Sequence, residues 1–158
     1  MPGDIFYQFH LFQDLTPSQR DTLRPLFVPV DCYAGTLLFD QGDLADYLYL
    51  VAVGEVSVRY KPDDGPEIMV ARVKPGGVVG WSAALGNRFY TSGAICTTYS
   101  QMLRIRGKDL RDLCTRYPET GTIVLERLAL VIAERLKNTH EDVMALLKKA
   151  MSNGCPTR

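Results

Sequence analysis

The spacing of apolar residues divides the chain into a short helical segment, a long β-rich middle and a helical end. Near the start, Thr16 and Gln19 have the spacing of a capping box, and Pro17 suits the first position of a helix. Leu23 and Phe27 then continue one apolar face at helical spacing. This pattern predicts a short helix between residues 16 and 27.

Between residues 28 and 106 short β-rich runs alternate with turn signals. Val56 and Val58 alternate with polar neighbours, as in a strand with one buried face. Glycine pairs such as Gly76-Gly77 and the sequence Asp-Asp-Gly-Pro at 63–66 mark the turns. The predicted strands are 28–33, 36–39, 47–52, 55–61, 67–74, 91–98 and 101–106. Many short strands with such turns predict an antiparallel barrel or sandwich.

The last third of the chain returns to helical spacing, and Pro118 separates a short amphipathic helix from a long one that runs to residue 151. About 33 residues of helix span roughly 50 Å, which is longer than a small domain is wide. Apolar residues three and four apart give this helix a stripe close to a coiled-coil seam. The stripe predicts a homodimer through Leu125, Leu128, Ile132, Leu136 and Val143. The alternative is that the same stripe packs on the β-region of its own chain.

Composition and charge narrow the classes of protein. Of the 158 residues, 46% are hydrophobic and 23% are charged, which excludes a disordered chain. The 18 basic and 18 acidic side chains cancel, whereas nucleic-acid-binding domains usually carry a basic excess. The longest apolar runs, 47–53 and 128–133, are far shorter than a membrane span, and the first residues lack the pattern of a signal peptide. We therefore expect a cytoplasmic protein.

The length predicts one domain. It would cover residues 1–151, with a helical segment at 1–27, the β-region at 28–106 and the C-terminal helices at 107–151, followed by a tail at 152–158.

Residue types that carry metal or catalytic chemistry are sparse. The two histidines, His10 and His140, lie outside the β-rich region, so a metal site inside the barrel is not expected. No histidine stands near Ser82 or Cys96 in the sequence to activate a nucleophile. The four cysteines are far apart and are expected to be reduced: Cys32, Cys96, Cys114 and Cys155. We expect no metal, no resident cofactor and no enzymatic activity.

Three glycine-marked blocks, at 34–43, 47–58 and 73–80, resemble the cyclic nucleotide-binding domain of the catabolite-activator and protein-kinase regulatory-subunit type. The order of elements resembles that family along nearly the whole chain. The resemblance implies an α+β fold, in which an antiparallel, jelly-roll-like β-roll carries flanking helices and a long C-terminal dimerisation helix.

In that family the ligand lies on a phosphate-binding cassette. Backbone amides of a short helix face the cyclic phosphate, an acidic residue binds the ribose and an arginine pairs with the phosphate. The matching stretch here, 79–94, departs at both charged positions, with Trp81 at the acidic one and Tyr90 at the arginine one. Gly-Trp-Ser at this point also resembles a bacterial subgroup with an altered nucleotide site. The resemblance places at the ligand Gly80, Trp81, Ser82, Ala83, Arg88, Tyr90 and Thr91.

Two side chains in this stretch have alternative interpretations. Trp81 either stacks on a planar ligand or fills an emptied pocket, and Arg88 either anchors an anion or is a solvated loop residue. The resemblance implies a homodimeric, ligand-sensing regulatory domain in which cyclic nucleotide binding is altered or lost, with cyclic AMP or another small anion as candidate ligand. The alternatives are a genuine cyclic AMP or cyclic GMP module, or a ligand-free adaptor with a filled pocket.

An open pocket beside residues 80–83 would indicate a sensor, and a plugged pocket would indicate an adaptor.

Transcription factors of the family carry a helix-turn-helix domain after the long helix. The sequence contains no such segment, so we expect no DNA-binding domain and no direct binding to DNA.

Overall fold

The computed structural model describes residues 5–62, 65–84, 86–136 and 148. Its first helical elements are two 3-10 turns, α1 and a third 3-10 turn, at Ile5–Gln8, His10–Phe12, Pro17–Leu23 and Arg24–Leu26. The capping box before α1 is confirmed, because Gln19 N–H donates to Thr16 Oγ1 at 3.2 Å and Thr16 N–H donates to Gln19 Oε1 at 3.0 Å. The predicted helix therefore forms, and its last turn is 3-10 where Pro25 lacks an N–H group.

Eight strands form two four-stranded antiparallel sheets. They are β1 (Val28–Cys32), β2 (Leu37–Phe39), β3 (Tyr47–Val53), β4 (Val56–Tyr60), β5 (Ile68–Val73), β6 (Val78–Val79), β7 (Gly93–Cys96) and β8 (Ser100–Arg106). The first sheet has the order β1-β8-β3-β6 and the second the order β2-β7-β4-β5. The predicted antiparallel β-roll is confirmed, and all seven predicted strands are present. The two-residue strand β6 was not predicted.

Strand β3 separates two hydrophobic cores, because its side chains alternate between the faces of the first sheet. Tyr49 and Val51 lie in the core between the two sheets. Leu48 and Leu50 lie in the second core, which the helical elements share. A strand buried on both faces explains why the sequence from 47 to 53 is an unbroken apolar run.

The C-terminal helices α2 (Gly107–Arg116) and α3 (Pro118–Leu136) cover the first sheet together with the N-terminal 3-10 turns. Leu125, Leu128 and Ile132 are only 4%, 0% and 2% exposed, and they pack in the core of their own chain. The prediction that these three side chains form a dimer seam is therefore wrong, because Phe6, Phe12 and the first sheet already bury their stripe. Of the other two seam residues, Leu136 is the last residue of α3 that the structure describes, and Val143 lies outside the described residues.

Arg127 fixes α3 to the N-terminal segment from the edge of the same core. Its Nη1 atom donates to the carbonyl oxygens of Leu11 at 2.8 Å and Gln13 at 2.6 Å. Leu11 belongs to the second 3-10 turn and Gln13 directly follows it, where the end of a short turn leaves carbonyl oxygens without an intrahelical partner. The arginine therefore joins α3 to the second 3-10 turn.

Candidate functional site

The predicted cassette follows β6 as a pair of tight turns rather than a regular helix. Ala83 N–H donates to Gly80 O at 3.1 Å and Ala84 N–H donates to Trp81 O at 3.0 Å. A hydrogen bond between residues farther apart in the sequence, from Asn87 N–H to Ser82 O at 3.0 Å, closes the loop. Within the described residues the N–H groups of Trp81 and Ser82 have no hydrogen-bond partner, so both remain available to a ligand.

Gly80 is required at the start of the cassette for two reasons. Its φ angle is +79°, a conformation that residues with a Cβ rarely adopt. A Cβ atom there would lie 2.8 Å from the carbonyl oxygen of Tyr47 and 3.3 Å from the rings of Phe39 and Tyr90. The glycine therefore lets the cassette backbone lie against β3.

The second half of the cassette is held against the loop that follows β2. Tyr90 N–H donates to Asp43 O at 2.9 Å, and Gly42 N–H donates to Tyr90 O at 2.9 Å. Ala45 N–H donates to the carbonyl of Arg88 at 2.8 Å. These backbone bonds fix the path of residues 88–90 and decide which of their side chains face inward.

Tyr90 faces inward and belongs to the core between the sheets. Its ring stacks on Phe39 with centroids 3.6 Å apart, and the side chain is 5% exposed. The hydroxyl donates to Tyr47 O at 2.5 Å and accepts from Tyr47 N–H at 3.0 Å. Burial raises the pKa of Tyr90 far above its usual value, so the hydroxyl stays protonated. Tyr90, the predicted counterpart of the family's phosphate arginine, is therefore a neutral packing residue.

A cavity opens beside the cassette. Its volume of about 430 Å³ lies within the usual range for small-molecule sites. Its lining combines cassette residues with the second sheet: Phe39, Val58, Val70, Ala71, Val79, Gly80, Trp81, Ser82, Asn87, Tyr90, Thr91 and Ser92. Of the described residues, none that lines it carries a charge. Its side-chain polar groups are the hydroxyls of Ser82, Tyr90, Thr91 and Ser92, the carboxamide of Asn87 and the indole N–H of Trp81.

Trp81 lines this cavity without closing it, so the pocket is open rather than plugged. The same side chain packs against the core beneath the helices and lines a second cavity of about 500 Å³. That second cavity lies between the β5–β6 turn and the residues Val131 and Ile132 of α3. Trp81 thus lines both the cassette cavity and the cavity beside Val131 and Ile132 of α3.

The structure brings five of the seven predicted site residues to one cavity: Gly80, Trp81, Ser82, Tyr90 and Thr91. Ala83 is 1% exposed and does not line the cavity. Arg88 also lies outside the lining, with its guanidinium 5.4 Å from the centroid of the Phe89 ring. This contact with Phe89 favours the interpretation of Arg88 as an exposed loop residue over its interpretation as an anion anchor.

The sequence prediction missed the wall contributed by the second sheet. Val58 and Ala71 are paired across β4 and β5 and line the cavity together. Their place in a predicted hairpin was a signal that this face of the strands pointed at the cassette.

Outside the cassette, the described residues offer little metal-binding or nucleophilic chemistry. No three His, Cys, Asp or Glu side chains there form a group that could hold a metal ion, and none of the described helices is long and apolar enough to cross a membrane. Cys32, Cys96 and Cys114 are free thiols, and Cys155 lies outside the described residues. Burial raises the pKa of Cys96 and of Cys114 to about 11, which makes both poor nucleophiles near neutral pH.

Comparison with known proteins places this fold and site in one family. The model of the cyclic nucleotide-binding domain matches residues 29–117, more than half of the chain. The chain is 26% identical over 144 residues to the CRP-like cAMP-activated global transcriptional regulator of Mycobacterium tuberculosis, covering 91% of this chain and 62% of the relative. It is 30% identical over 127 residues to the cyclic AMP receptor protein of Thermus thermophilus, covering 80% of this chain and 57% of the relative.

The chain therefore spans about three fifths of the length of these two curated relatives. Among solved structures, the N-terminal domain of a transcriptional regulator from Streptomyces coelicolor superposes with a TM-score of 0.65 at 29% identity, covering 85% of this chain and 93% of that one. The matched family model and the shared β-roll agree with the resemblance of the glycine-marked blocks. The chain belongs to the cyclic nucleotide-binding domain family and is of its catabolite-activator type.

Proposed function

We propose that this chain is a ligand-sensing regulatory domain whose cassette no longer recognises the charged phosphate of a cyclic nucleotide. In this proposal it is a cytoplasmic, non-enzymatic single domain at 1–151 that acts through α3. The observation that carries the proposal is an open cavity at the cassette whose described lining is uncharged. The relatives' names refer to cyclic AMP, so genuine cyclic AMP binding is the second candidate.

The loss of the arginine explains why recognition of the phosphate would fail, and the loss of the carboxylate removes the group that binds the ribose. A charge-assisted hydrogen bond contributes about 1.5–3 kcal/mol, which corresponds to at least about tenfold in affinity. Tyr90 cannot replace the arginine, because its hydroxyl is held by the backbone of Tyr47. Trp81 offers an aromatic surface where the family has a carboxylate, and such a surface suits a planar group.

The position of Trp81 suggests how a ligand would act on α3. The indole lies between the cassette cavity and the cavity beside Val131 and Ile132. A ligand that stacks on the indole and changes its rotamer would change the packing around these two residues. The signal would pass along α3 without any charged contact. A filled pocket, which the adaptor alternative requires, does not fit the open cavity.

The proposal includes a homodimer that forms along α3. The dimer contact lies on a different face of this helix from the one that the sequence predicted. Leu130 is 53% exposed on α3, opposite the stripe that its own chain buries. Thr122 and Glu126 precede it at helical spacing and are also exposed. We assign the dimer contact to this face and centre it on Leu130.

The test of the cassette proposal restores the charged groups at positions that can carry them. Arginine at Tyr90 would place an unpaired charge in the core, so the change is made at Thr91, which lines the cavity and is exposed. Calorimetry with cyclic AMP is predicted to show little heat for the wild type. The double variant Trp81→Glu/Thr91→Arg should bind at least about tenfold more tightly than either single variant, because the two groups hold different ends of the ligand.

Thr98→Arg is the matched control, because it adds the same charge at an exposed threonine outside the cavity. It should leave cyclic AMP binding unchanged. Micromolar binding of cyclic AMP by the wild type, at least about tenfold tighter than its binding of adenosine, would refute the loss of phosphate recognition and support the second candidate.

A further inference from the structure

A further cavity, distinct from the two described above, is lined by three cationic side chains. It has a volume of about 230 Å³ and lies where β8 passes into α2, beside the start of β3. Its lining residues are Ala45, Asp46, Tyr47, Arg106, Gly107, Lys108 and Arg111. Arg106, Lys108 and Arg111 face only one carboxylate there, that of Asp46, so this concave surface has an excess of positive charge.

The three cations are not neutralised by ion pairs. Within the described residues, none of them has a carboxylate oxygen within 4.0 Å. Arg106 stands 5.7 Å from the ring centroid of Tyr47, and Arg111 Nη1 makes only a long hydrogen bond, 3.4 Å, to Ala83 O. Like charges held close together without counter-ions favour the binding of an anion.

The backbone around the cavity adds to this field. The α2 helix has ten residues, and the side chain of its N-cap residue, Arg106, makes no capping bond. Gly107 N–H donates to Asp46 O at 2.9 Å, and this hydrogen bond anchors the start of the helix to the rim of the cavity. Asp109 lies in the same first turn but lines a different cavity, with Asp112. The helix dipole therefore reinforces the side-chain charges at this end.

We propose that this cavity binds a small phosphate-class anion, either inorganic phosphate or the phosphate monoester of a small molecule. A multivalent oxyanion matches two arginines and a lysine, since guanidinium groups bind such oxygens in pairs of hydrogen bonds. The site is concave and small, which suits a small molecule better than the side chains of an acidic protein surface. It is separate from the cassette cavity and shares no charged group with it.

The anion site also has a direct connection to the cassette. Arg111 donates to the carbonyl oxygen of Ala83. The N–H group of the same residue closes the first cassette turn. An anion that draws the Arg111 guanidinium to itself would remove that contact.

The test is a titration of the intact chain with inorganic phosphate, followed by amide NMR shifts of Gly107 and Lys108, with sodium chloride at matched ionic strength as reference. We expect saturable shifts with phosphate that chloride does not produce. Lys108→Gln and Arg111→Gln should each weaken binding at least about tenfold, because each removes one charge-assisted contact. Lys74→Gln, a basic residue in the β5–β6 turn outside this cavity, should bind as the wild type does.

Three results would overturn the proposal. Equal shifts with chloride would indicate general screening of charge. An equal loss in Lys74→Gln would indicate attraction to the overall field of the protein. Binding of an acidic peptide at these amides without binding of phosphate would assign the surface to a protein partner. Because Lys108 is exposed, its substitution does not put the fold at risk.

Discussion

At the scale of single residues, the cassette depends on an interlocked group beneath its first turn. Gly80 leaves room for the carbonyl of Tyr47, and that same carbonyl accepts the hydrogen bond of Tyr90. The ring of Tyr90 in turn stacks on Phe39. A substitution at Gly80, Tyr90 or Phe39 should disturb both the cavity wall and the core between the sheets, whereas Tyr47 takes part through its backbone.

Alanine at Gly80 should therefore destabilise the protein more than alanine at another glycine of similar backbone conformation. Gly35 is the matched control, because its φ angle is +88° and a Cβ there meets nothing within 4 Å. Gly35→Ala should cost about 1–2 kcal/mol for the left-handed conformation alone. Gly80→Ala should cost a further ~1–3 kcal/mol for the contact with Tyr47 O. Urea unfolding of both variants measures the difference, and equal losses would show that space at Gly80 is unimportant.

The sequence could identify the positions of the cassette but not the role of each side chain. The glycine-marked block ending at Gly80 was sufficient to locate the loop. Whether Arg88 or Tyr90 faces inward depends on backbone bonds to residues 42–45, which are distant in sequence. The wall from Val58 and Ala71 likewise depends on how the second sheet curves over the loop.

At the scale of elements, the helices and strands follow the patterns in the sequence closely. The capping box at Thr16 and the run from 47 to 53 were sufficient to predict α1 and β3. The 3-10 turns at residues 5–12 were not predicted, because elements of three or four residues have no readable period. The dimer seam predicted on α3 is wrong for the same reason, since Phe6 and Phe12 of these turns cover that stripe.

Arg127 should hold these N-terminal turns in place, because it satisfies the carbonyls of Leu11 and Gln13. Arg127→Met keeps much of the side chain's length but leaves both carbonyls without this donor. The variant should lose about 1–3 kcal/mol of stability, and amide hydrogen exchange should accelerate first at residues 5–13. Arg116→Met, at the exposed end of α2, is the control. Unchanged exchange at residues 5–13 in Arg127→Met would contradict this account.

The dimer proposal can be tested on the two faces of α3. Leu130→Glu should give a folded monomer in sedimentation, because the side chain is exposed within its own chain. Leu128→Glu should instead unfold the protein, since Leu128 is fully buried. Leu37→Glu, on an exposed position of β2, should remain dimeric. A wild type that is already monomeric, or a dimeric Leu130→Glu variant, would reject this interface.

At the scale of the whole molecule, the chain has the framework of its family, and the described lining of its cassette cavity is uncharged. The β-roll, the cassette loop and α3 occupy the order expected of the catabolite-activator type. We propose that this uncharged lining, together with Trp81, which lines both the cassette cavity and the cavity beside Val131 and Ile132, replaces a site built for a charged ligand. The proposal is that the path from cassette to α3 remains while the ligand class has changed.

The central claim is that the cassette does not recognise phosphate, and Trp81 provides the direct measurement. It is the only tryptophan of the chain and lines the cavity, so its emission reports on a molecule bound there. The wild type is titrated with cyclic AMP and with adenosine, which carries the same base and ribose without the phosphate. The account predicts dissociation constants within about threefold of each other, or no response to either, because no arginine holds the phosphate. Cyclic AMP binding at least about tenfold more tightly than adenosine would contradict it.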